Sequence, residues 1–239
     1  MGIAYNTSIV SDGLVFALDA ANSRSYAGSG NTVYDVISSA GSNINSVSYS
    51  TSYYGIFSFS GSNINAGALA VLRSAISNYS YLTVSMWIKR TRFSHTTVEG
   101  LFAMQKSNGV HSILIYIGAD NLLYFGGRSS GDAGFLEVTS TSTLNNTNFY
   151  HLTCIYDLVS KANKMYINGV QETITGTTNW ASTTFGLGGG SAENRIGDEI
   201  TAGVAPFYGL IPQVHIYNRV LSAAEVKQNY NATKKRYGL

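Results

Sequence analysis

The sequence predicts an all-β protein, two antiparallel sheets packed as a sandwich, with helix confined to short pieces. Three observations carry this. The stretch Phe149 to Val170, FYHLTCIYDLVSKANKMYINGV, alternates His151, Thr153 and Ile155 with Leu152, Cys154 and Tyr156, then Lys164 and Tyr166 with Met165 and Ile167, the period of two that a strand imposes. Turn formers recur about every ten residues between such alternating runs, the rhythm of an all-β sandwich. Only 12% of the 239 residues are charged, and Gly, Ser, Thr, Asn and Tyr are abundant, which suits short strands joined by uncharged turns.

The elements follow in order. Residues 1–13 read as an extended arm ending at Asp12-Gly13, ahead of the apolar strand Leu14 to Asp19. Turn formers mixed with single aromatics then make residues 20–36 a structured loop crossing the sandwich. Ser46 to Gly61 gives two short strands around a Tyr-rich turn, with Phe57 and Phe59 pointing inward. Ala66 to Asn78 has apolar residues at helical spacing and predicts a short helix. Tyr81 to Arg90 sets Leu82, Val84, Met86 and Ile88 against Thr83, Ser85, Trp87 and Lys89.

Gly100 to Lys106, Ser112 to Gly118 and Asn121 to Gly126 predict three successive strands, the last two joined across Ala119-Asp120, and Phe135 to Thr139 predicts another. In the central hairpin, Asp157 to Asn163 is the loop. Asn168-Gly169 accepts φ > 0 and turns the chain into a strand at Val170 to Thr173. Asn194 to Gly197 is a short strand entering a loop, and Phe207 to Arg219 is a strand with a bulge at Pro212. Ser222, with Glu225 three residues on, forms a capping box that starts a short helix over Ser222 to Asn229. No repeat of 20 to 50 residues is evident, which disfavours a solenoid or propeller.

Several phrases resemble one family. The hairpin pattern, an aromatic, a His, an apolar run ending in Tyr-Asp and then apolar-Tyr-apolar-Asn-Gly, resembles the concanavalin A-like jelly rolls of the laminin-G and pentraxin type. FSFSG at 57–61 and the Trp two residues before Lys89 fit the same pattern. So does FYGLIPQVHIYNRVLSAAEV at 207–226, although Gln213 stands where that family usually has Glu. The opening GLVFALDAANSRSYAGSG, followed by Tyr34-Asp35, resembles laminin-G-like domains of tailed-bacteriophage virion proteins. The resemblance implies a jelly-roll sandwich over 12–230, flanked by an extended arm at 1–11 and a basic tail at 231–239.

Composition narrows the function. A net charge of +2, with one dense basic run at Lys234-Lys235-Arg236, gives no nucleic-acid footprint. Cys154 stands alone, so no intrachain disulfide forms; in a central strand it reads as a small buried hydrophobe. The start lacks the plan of a signal peptide and no apolar run approaches membrane-spanning length. A protein made in a cytoplasm, with no membrane partner, is expected.

Acids, histidines and aromatic side chains carry the candidate chemistry. The Glu-x-Asp-x-x-Glu string with which glucanases of this fold bring two carboxylates together is missing; Glu193, Asp198 and Glu199 are the nearest acidic group, at other spacing. Asp198 and Glu199, joined by Asp120 or Asp132, are the oxygen donors for a calcium ion, against a simpler reading as solvated loop acids. His95, His111, His151 and His215 show no zinc-ligand spacing. Gly186 to Gly190 lacks the Lys-Ser/Thr of a phosphate loop and reads as a turn. Trp87 is a sugar-stacking platform or, in the favoured reading, a core residue. The 17 Tyr include clusters at Tyr49, Tyr53 and Tyr54 and at Tyr79 and Tyr81, suited to glycan or protein recognition where they are exposed.

The expectation is a non-enzymatic virion protein of a tailed phage, a capsid decoration or a tail or fibre component, homo-oligomeric and adhering to host-surface glycan, with no catalytic, cofactor or metal residue assigned. A carbohydrate-binding module is the alternative and a glycoside hydrolase a weaker one. Both chain ends are expected to serve assembly, the arm adding to a neighbour's sheet edge and Lys234, Lys235 and Arg236 meeting acidic groups on a partner.

Overall fold

The computed structural model describes residues 8–65, 72–73, 75–93, 97–107, 110–131, 134–177, 179–187, 194–198 and 205–239. In chain order the strands are β1 (Leu14–Asp19), β2 (Thr32–Tyr34), β3 (Gly41–Asn43), β4 (Ser48–Ser50), β5 (Ile56–Ser60), β6 (Ile64–Asn65), β7 (Tyr81–Arg90), β8 (Glu99–Ser107), β9 (Val110–Ile117), β10 (Leu122–Gly127), β11 (Leu136–Thr143), β12 (Tyr150–Asp157), β13 (Lys164–Ile167), β14 (Val170–Gln171), β15 (Ile174–Gly176), β16 (Asn194–Ile196) and β17 (Tyr208–Tyr217). Near the C-terminus an α-helix, α1 (Ala223–Thr233), runs directly into a 3-10 turn, Lys234–Tyr237.

These strands form two antiparallel sheets. The first runs β14-β13-β12-β7-β17-β5-β4, with β1 also pairing β17; the second runs β15-β11-β10-β9-β8-β16-β6-β3-β2. The inward residues of the predicted strands meet between them: Phe16, Leu18, Phe57, Phe59, Leu82, Val84, Met86 and Ile88 from the first sheet face Phe102, Met104, Ile113, Ile115, Ile117, Leu123 and Phe125 from the second. Each such side chain, fully buried, contributes about 1.5–3 kcal/mol. Tyr156 spans the gap, its hydroxyl donating to the Leu114 and Gly126 carbonyls at 3.3 Å each. Cys154 is buried in this core, and burial pushes its thiol far above the ordinary range.

The central hairpin follows its sequence reading. Asn168 and Gly169 take φ of 55° and 73°, and Leu152 to Ile155 pair with Ile167 to Lys164. The strand expected at Val170 to Thr173 is shorter, ending at Gln171; Ile174–Gly176 then pairs with β11 of the other sheet. In β17 the register against β7 shifts between Leu210 and Gln213, around Pro212, where the bulge was read. The short strands β6, β3 and β2 complete one side of the second sheet, with β2 at its edge; β2 falls within residues 20–36, which the sequence suggested as a loop. Of the helix predicted over Ala66 to Asn78, residues 66–71 and 74 lie outside the described residues, while 72–73 and 75–76 are helical.

The outer face of the first sheet lies under α1. The capping box forms as read, and Arg219 grips Glu225 at 2.6 Å; that guanidinium is the main reason the Glu225 carboxyl is held down to about 2. The helix continues past Asn229 because Tyr230 and Tyr237 find aromatic partners beneath: Tyr237 lies 4.5 Å from the Trp87 ring centroid and 4.8 Å from that of Phe149. Asn229 accepts from the Val10 backbone N–H at 2.8 Å, so the end of the arm is tied to the same helix. Arg236, expected to meet an acid on a partner, meets Asp19 of its own chain at 2.7 Å and donates to the Tyr53 and Gly55 carbonyls.

Two charge features make predictions. Arg90 continues the inward row of β7 and pairs with Glu99 of β8 at 2.9 Å, both within 1% of complete burial. Removing one partner strands the other's charge, so Glu99→Leu should cost about 3–5 kcal/mol in urea unfolding, and adding Arg90→Met should recover much of that. Under α1, His215, Ser85 and Thr153 stand in one cross-strand row with His151 and Trp87 in the next. Burial lowers His215 to about 4 and His151 to about 3, so the fold keeps both neutral while the unfolded chain protonates from the ordinary 6.5 downward. Stability is therefore full above that value and falls as pH drops from 6.5 toward 4. Melting temperature should decline across this window, and less steeply in His151→Gln; a decline of equal slope in that variant contradicts the assignment.

Candidate functional site

With α1 over the first sheet, the second sheet keeps an outer face of its own. There β9 and β10 form a hairpin through Gly118 to Asn121, with Asn121 at φ 65°. This register sets Tyr116 directly opposite Tyr124, and their rings stack 4.8 Å apart at 11°. Both rings are part-exposed. Tyr124 donates its hydroxyl proton to Asp120 at 2.6 Å, and Asp120 also accepts from the Leu122 N–H within the turn. Tyr116 donates to Glu137 at 2.8 Å.

Glu137 reaches Tyr116 across β10, and Gly126 makes that possible. Gly126 pairs with Glu137, and a Cβ there would run into the Leu136 carbonyl and lie 2.7 Å from the Glu137 Cβ. The glycine therefore opens a trough between Leu114 and Glu137. Beside it Ala103 and Leu114 make an apolar floor against which Tyr116 and Phe135 pack, with the Arg128 guanidinium 5.6 Å from the Phe135 ring centroid. Tyr156 holds this patch from beneath through the same Leu114 and Gly126 carbonyls. The result is a rigid aromatic strip edged by carboxylates: ring surface for apolar C–H faces, oxygen acceptors for hydroxyls.

The residues singled out from sequence lie elsewhere. Trp87 is fully buried and its indole N–H donates to Thr233 at 2.8 Å, so it anchors α1 and is no platform. Asp198 is also fully buried, accepting from the Asn63 amide at 3.2 Å and from Arg195 at 3.5 Å. Asp198 thus has a guanidinium and an amide as partners and lies away from solvent, and Asp120 is instead bonded to Tyr124. Glu193, Glu199, Asp132 and His95, and the side chain of His111, lie outside the described residues. Among those described, no group of three or more His, Cys, Asp or Glu could hold a metal ion.

Ser85 Oγ lies 2.9 Å from His151 Nε2, but His151 Nδ1 has no partner among the described residues and the pair is sealed beneath α1. The pair thus lacks, among the described residues, the orienting acid and the open path to substrate that a hydrolytic serine uses. Tyr49 packs against Tyr26 and Phe57. Tyr54 is 81% exposed at the rim of a shallow cleft of about 420 Å³ lined also by Asp19, Gln213, Thr233, Lys235 and Arg236. The Arg236 and Asp19 at its floor already satisfy each other, so it offers less to a ligand than the tyrosine strip.

The profile of the Laminin_G_3 family, described as the concanavalin A-like lectin/glucanases superfamily, matches residues 60–227. The chain belongs to this superfamily. No curated protein sequence matches it. Solved members of similar fold include the Trypanosoma rangeli sialidase in complex with difluoro-KDN, with a TM-score of 0.65 at 14% identity over 94% of this chain and 33% of that one. The receptor binding domain of botulinum neurotoxin C/D mosaic serotype matches with a TM-score of 0.65 at 16% identity, over 92% and 51%. Domain 4 of AbnA, a GH43 extracellular arabinanase of Geobacillus stearothermophilus, in complex with arabinotriose, matches with a TM-score of 0.63 at 19% identity, over 91% and 98%. The chain spans a third of the sialidase but nearly all of the arabinanase domain. At these identities the likeness is one of fold.

The tyrosine geometry is open to direct test. Burial, then the bond to Glu137, pushes the Tyr116 phenol well above its ordinary 10, and the bond to Asp120 is the main cause of the rise at Tyr124. In a tyrosine ring-carbon NMR titration both should remain protonated after exposed tyrosines have ionised. Asp120→Asn should return Tyr124 toward 10 and leave Tyr116 nearly unmoved.

Proposed function

We propose that this chain is a non-enzymatic virion protein of a tailed phage, a capsid decoration or part of a tail or fibre, which holds host-surface glycan on the open face of its second sheet. The observation that carries the glycan reading is the stacked Tyr116–Tyr124 pair with Glu137 and Asp120 at its edge. Two rings stacked on each other and fixed by cross-strand register offer outer faces and edges to a sugar's C–H groups, with acceptors beside them for its hydroxyls. The arabinanase domain of like fold and length, solved with arabinotriose, supports the same reading. The virion setting rests on the opening phrase at 13–30 with its Tyr34-Asp35 step, which resembles tailed-phage proteins; assembly there as a homo-oligomer, after synthesis in the host cytoplasm, goes with it.

The absence of catalysis is part of the proposal. Asp120 and Glu137 each accept a tyrosine proton, an arrangement that binds and does not cleave, whereas glycoside hydrolysis needs one carboxyl to give up a proton and another to attack or activate water. A carbohydrate-binding module serving a polysaccharide-degrading enzyme shares the site chemistry, and the like fold of the arabinanase domain favours it as the second reading.

Calorimetric titration with purified host-surface polysaccharide should show saturable heat that Tyr124→Ala weakens roughly tenfold, about 1.4 kcal/mol, while Tyr54→Ala leaves it unchanged. Equal loss in the two variants contradicts the assignment of the face. A reducing-end assay on the same polysaccharide should stay at background over a day, and turnover would refute the non-enzymatic reading. Immunogold labelling of purified particles should mark the virion; its failure would leave the module reading.

A further inference from the structure

We infer that the tyrosine strip accepts neutral, hydroxyl-rich sugars and rejects those bearing a carboxylate or sulfate. The inference rests on the glycan reading and narrows it. Both phenolic protons are committed, Tyr116 to Glu137 at 2.8 Å and Tyr124 to Asp120 at 2.6 Å, so neither hydroxyl has a proton left to offer a ligand. Each phenol oxygen can still accept, that of Tyr124 beside a bond it takes from the Thr139 hydroxyl, and an ionised carboxylate accepts only. The four polar groups of the strip therefore present acceptors and two formal negative charges.

Sugar hydroxyls, each a donor, complete such a surface. A sialic, uronic or sulfated residue brings an anion with no proton to give, placed against two carboxylates, exposed Asp120 and partly buried Glu137, the latter where charge is screened less than in water. Among the described residues, the cation seen against this patch is Arg128, at its far end over the Phe135 ring, two residues before Glu137 in the chain. It does not stand among the tyrosine hydroxyls. The recognition chemistry is thus distinct from an arginine-centred site for acidic sugars.

The full chain should be applied to a glycan array that prints matched pairs, each neutral oligosaccharide beside the same structure carrying sialic acid, uronic acid or sulfate. Binding should fall on neutral members, with acidic partners weaker by tenfold or more at 50 mM salt and the gap narrowing at 500 mM. Asp120→Asn combined with Glu137→Gln should weaken neutral binding, since it removes acceptors, while bringing the acidic member of each pair within threefold of its neutral partner. The melting temperature of that variant shows whether it is folded, and the salt series on the unmodified protein tests the same charge argument without any substitution. Acidic congeners binding as well as or better than neutral ones overturns the inference and leaves the glycan reading standing. Binding to no glycan at all overturns the reading together with the inference.

Discussion

Strand β7 carries side chains that must leave water on both of its faces: Leu82, Val84, Met86 and Ile88 on one, Thr83, Ser85 and Trp87 on the other, all but completely buried. The inner row is covered by the second sheet. The outer row holds the largest side chain of the strand together with two hydroxyls, and an exposed antiparallel face would leave Trp87 in water. The chain returns α1 and its terminal 3-10 turn over this face, where Thr233 accepts the indole proton and Tyr230 and Tyr237 cover the ring. The tail after the sandwich is therefore part of the fold, and the arm from Ser8 is bound to it through Asn229 and Gln228.

That cover makes the two outer faces unequal. Beneath α1 the polar row of Ser85, Thr153, His151 and His215 is sealed, so groups that resemble catalytic machinery in kind serve packing instead, and the histidines are held neutral. The second sheet keeps an outer surface on which part-exposed aromatics and carboxylates meet. Its rigidity comes from below, through the Tyr156 hydroxyl on the Leu114 and Gly126 carbonyls, and from the side, through the β9–β10 register. A pre-ordered surface of this kind loses little conformational freedom on binding. The same residues of the central hairpin that define the fold thus also position the face to which function is assigned.

Where local signals decide structure, the sequence was a good guide. The alternation of His151 to Tyr156, the Asn168-Gly169 turn, the Pro212 bulge and the Ser222–Glu225 cap each depend on a few neighbouring residues, and each is present. Strands β2, β3 and β6 are only two or three residues long and owe their pairing to partners far along the chain, which no local period announces. The tyrosine pair was nearly within reach: counting outward from the turn read at Ala119-Asp120 sets Tyr116 against Leu123, one residue short of Tyr124, because Asn121 also belongs to the turn. Glu137 was not, since its approach to Tyr116 depends on the missing side chain at Gly126 on an intervening strand. Arg236 looked like a free cation because Asp19, its partner, is 217 residues away.

The central claim is that ligand meets the uncovered sheet and not the helix-capped one or the cleft beside Tyr54. Amide chemical-shift mapping on the 25.6 kDa protein during titration with a bound neutral oligosaccharide tests this most directly. Perturbations should cluster on Leu114 to Asn121, Leu122 to Gly126 and Leu136 to Thr139, with Trp87, His151 and α1 unmoved. Shifts centred on Asp19, Tyr54 and Lys235 to Tyr237, with Tyr116 and Tyr124 silent, would contradict the account.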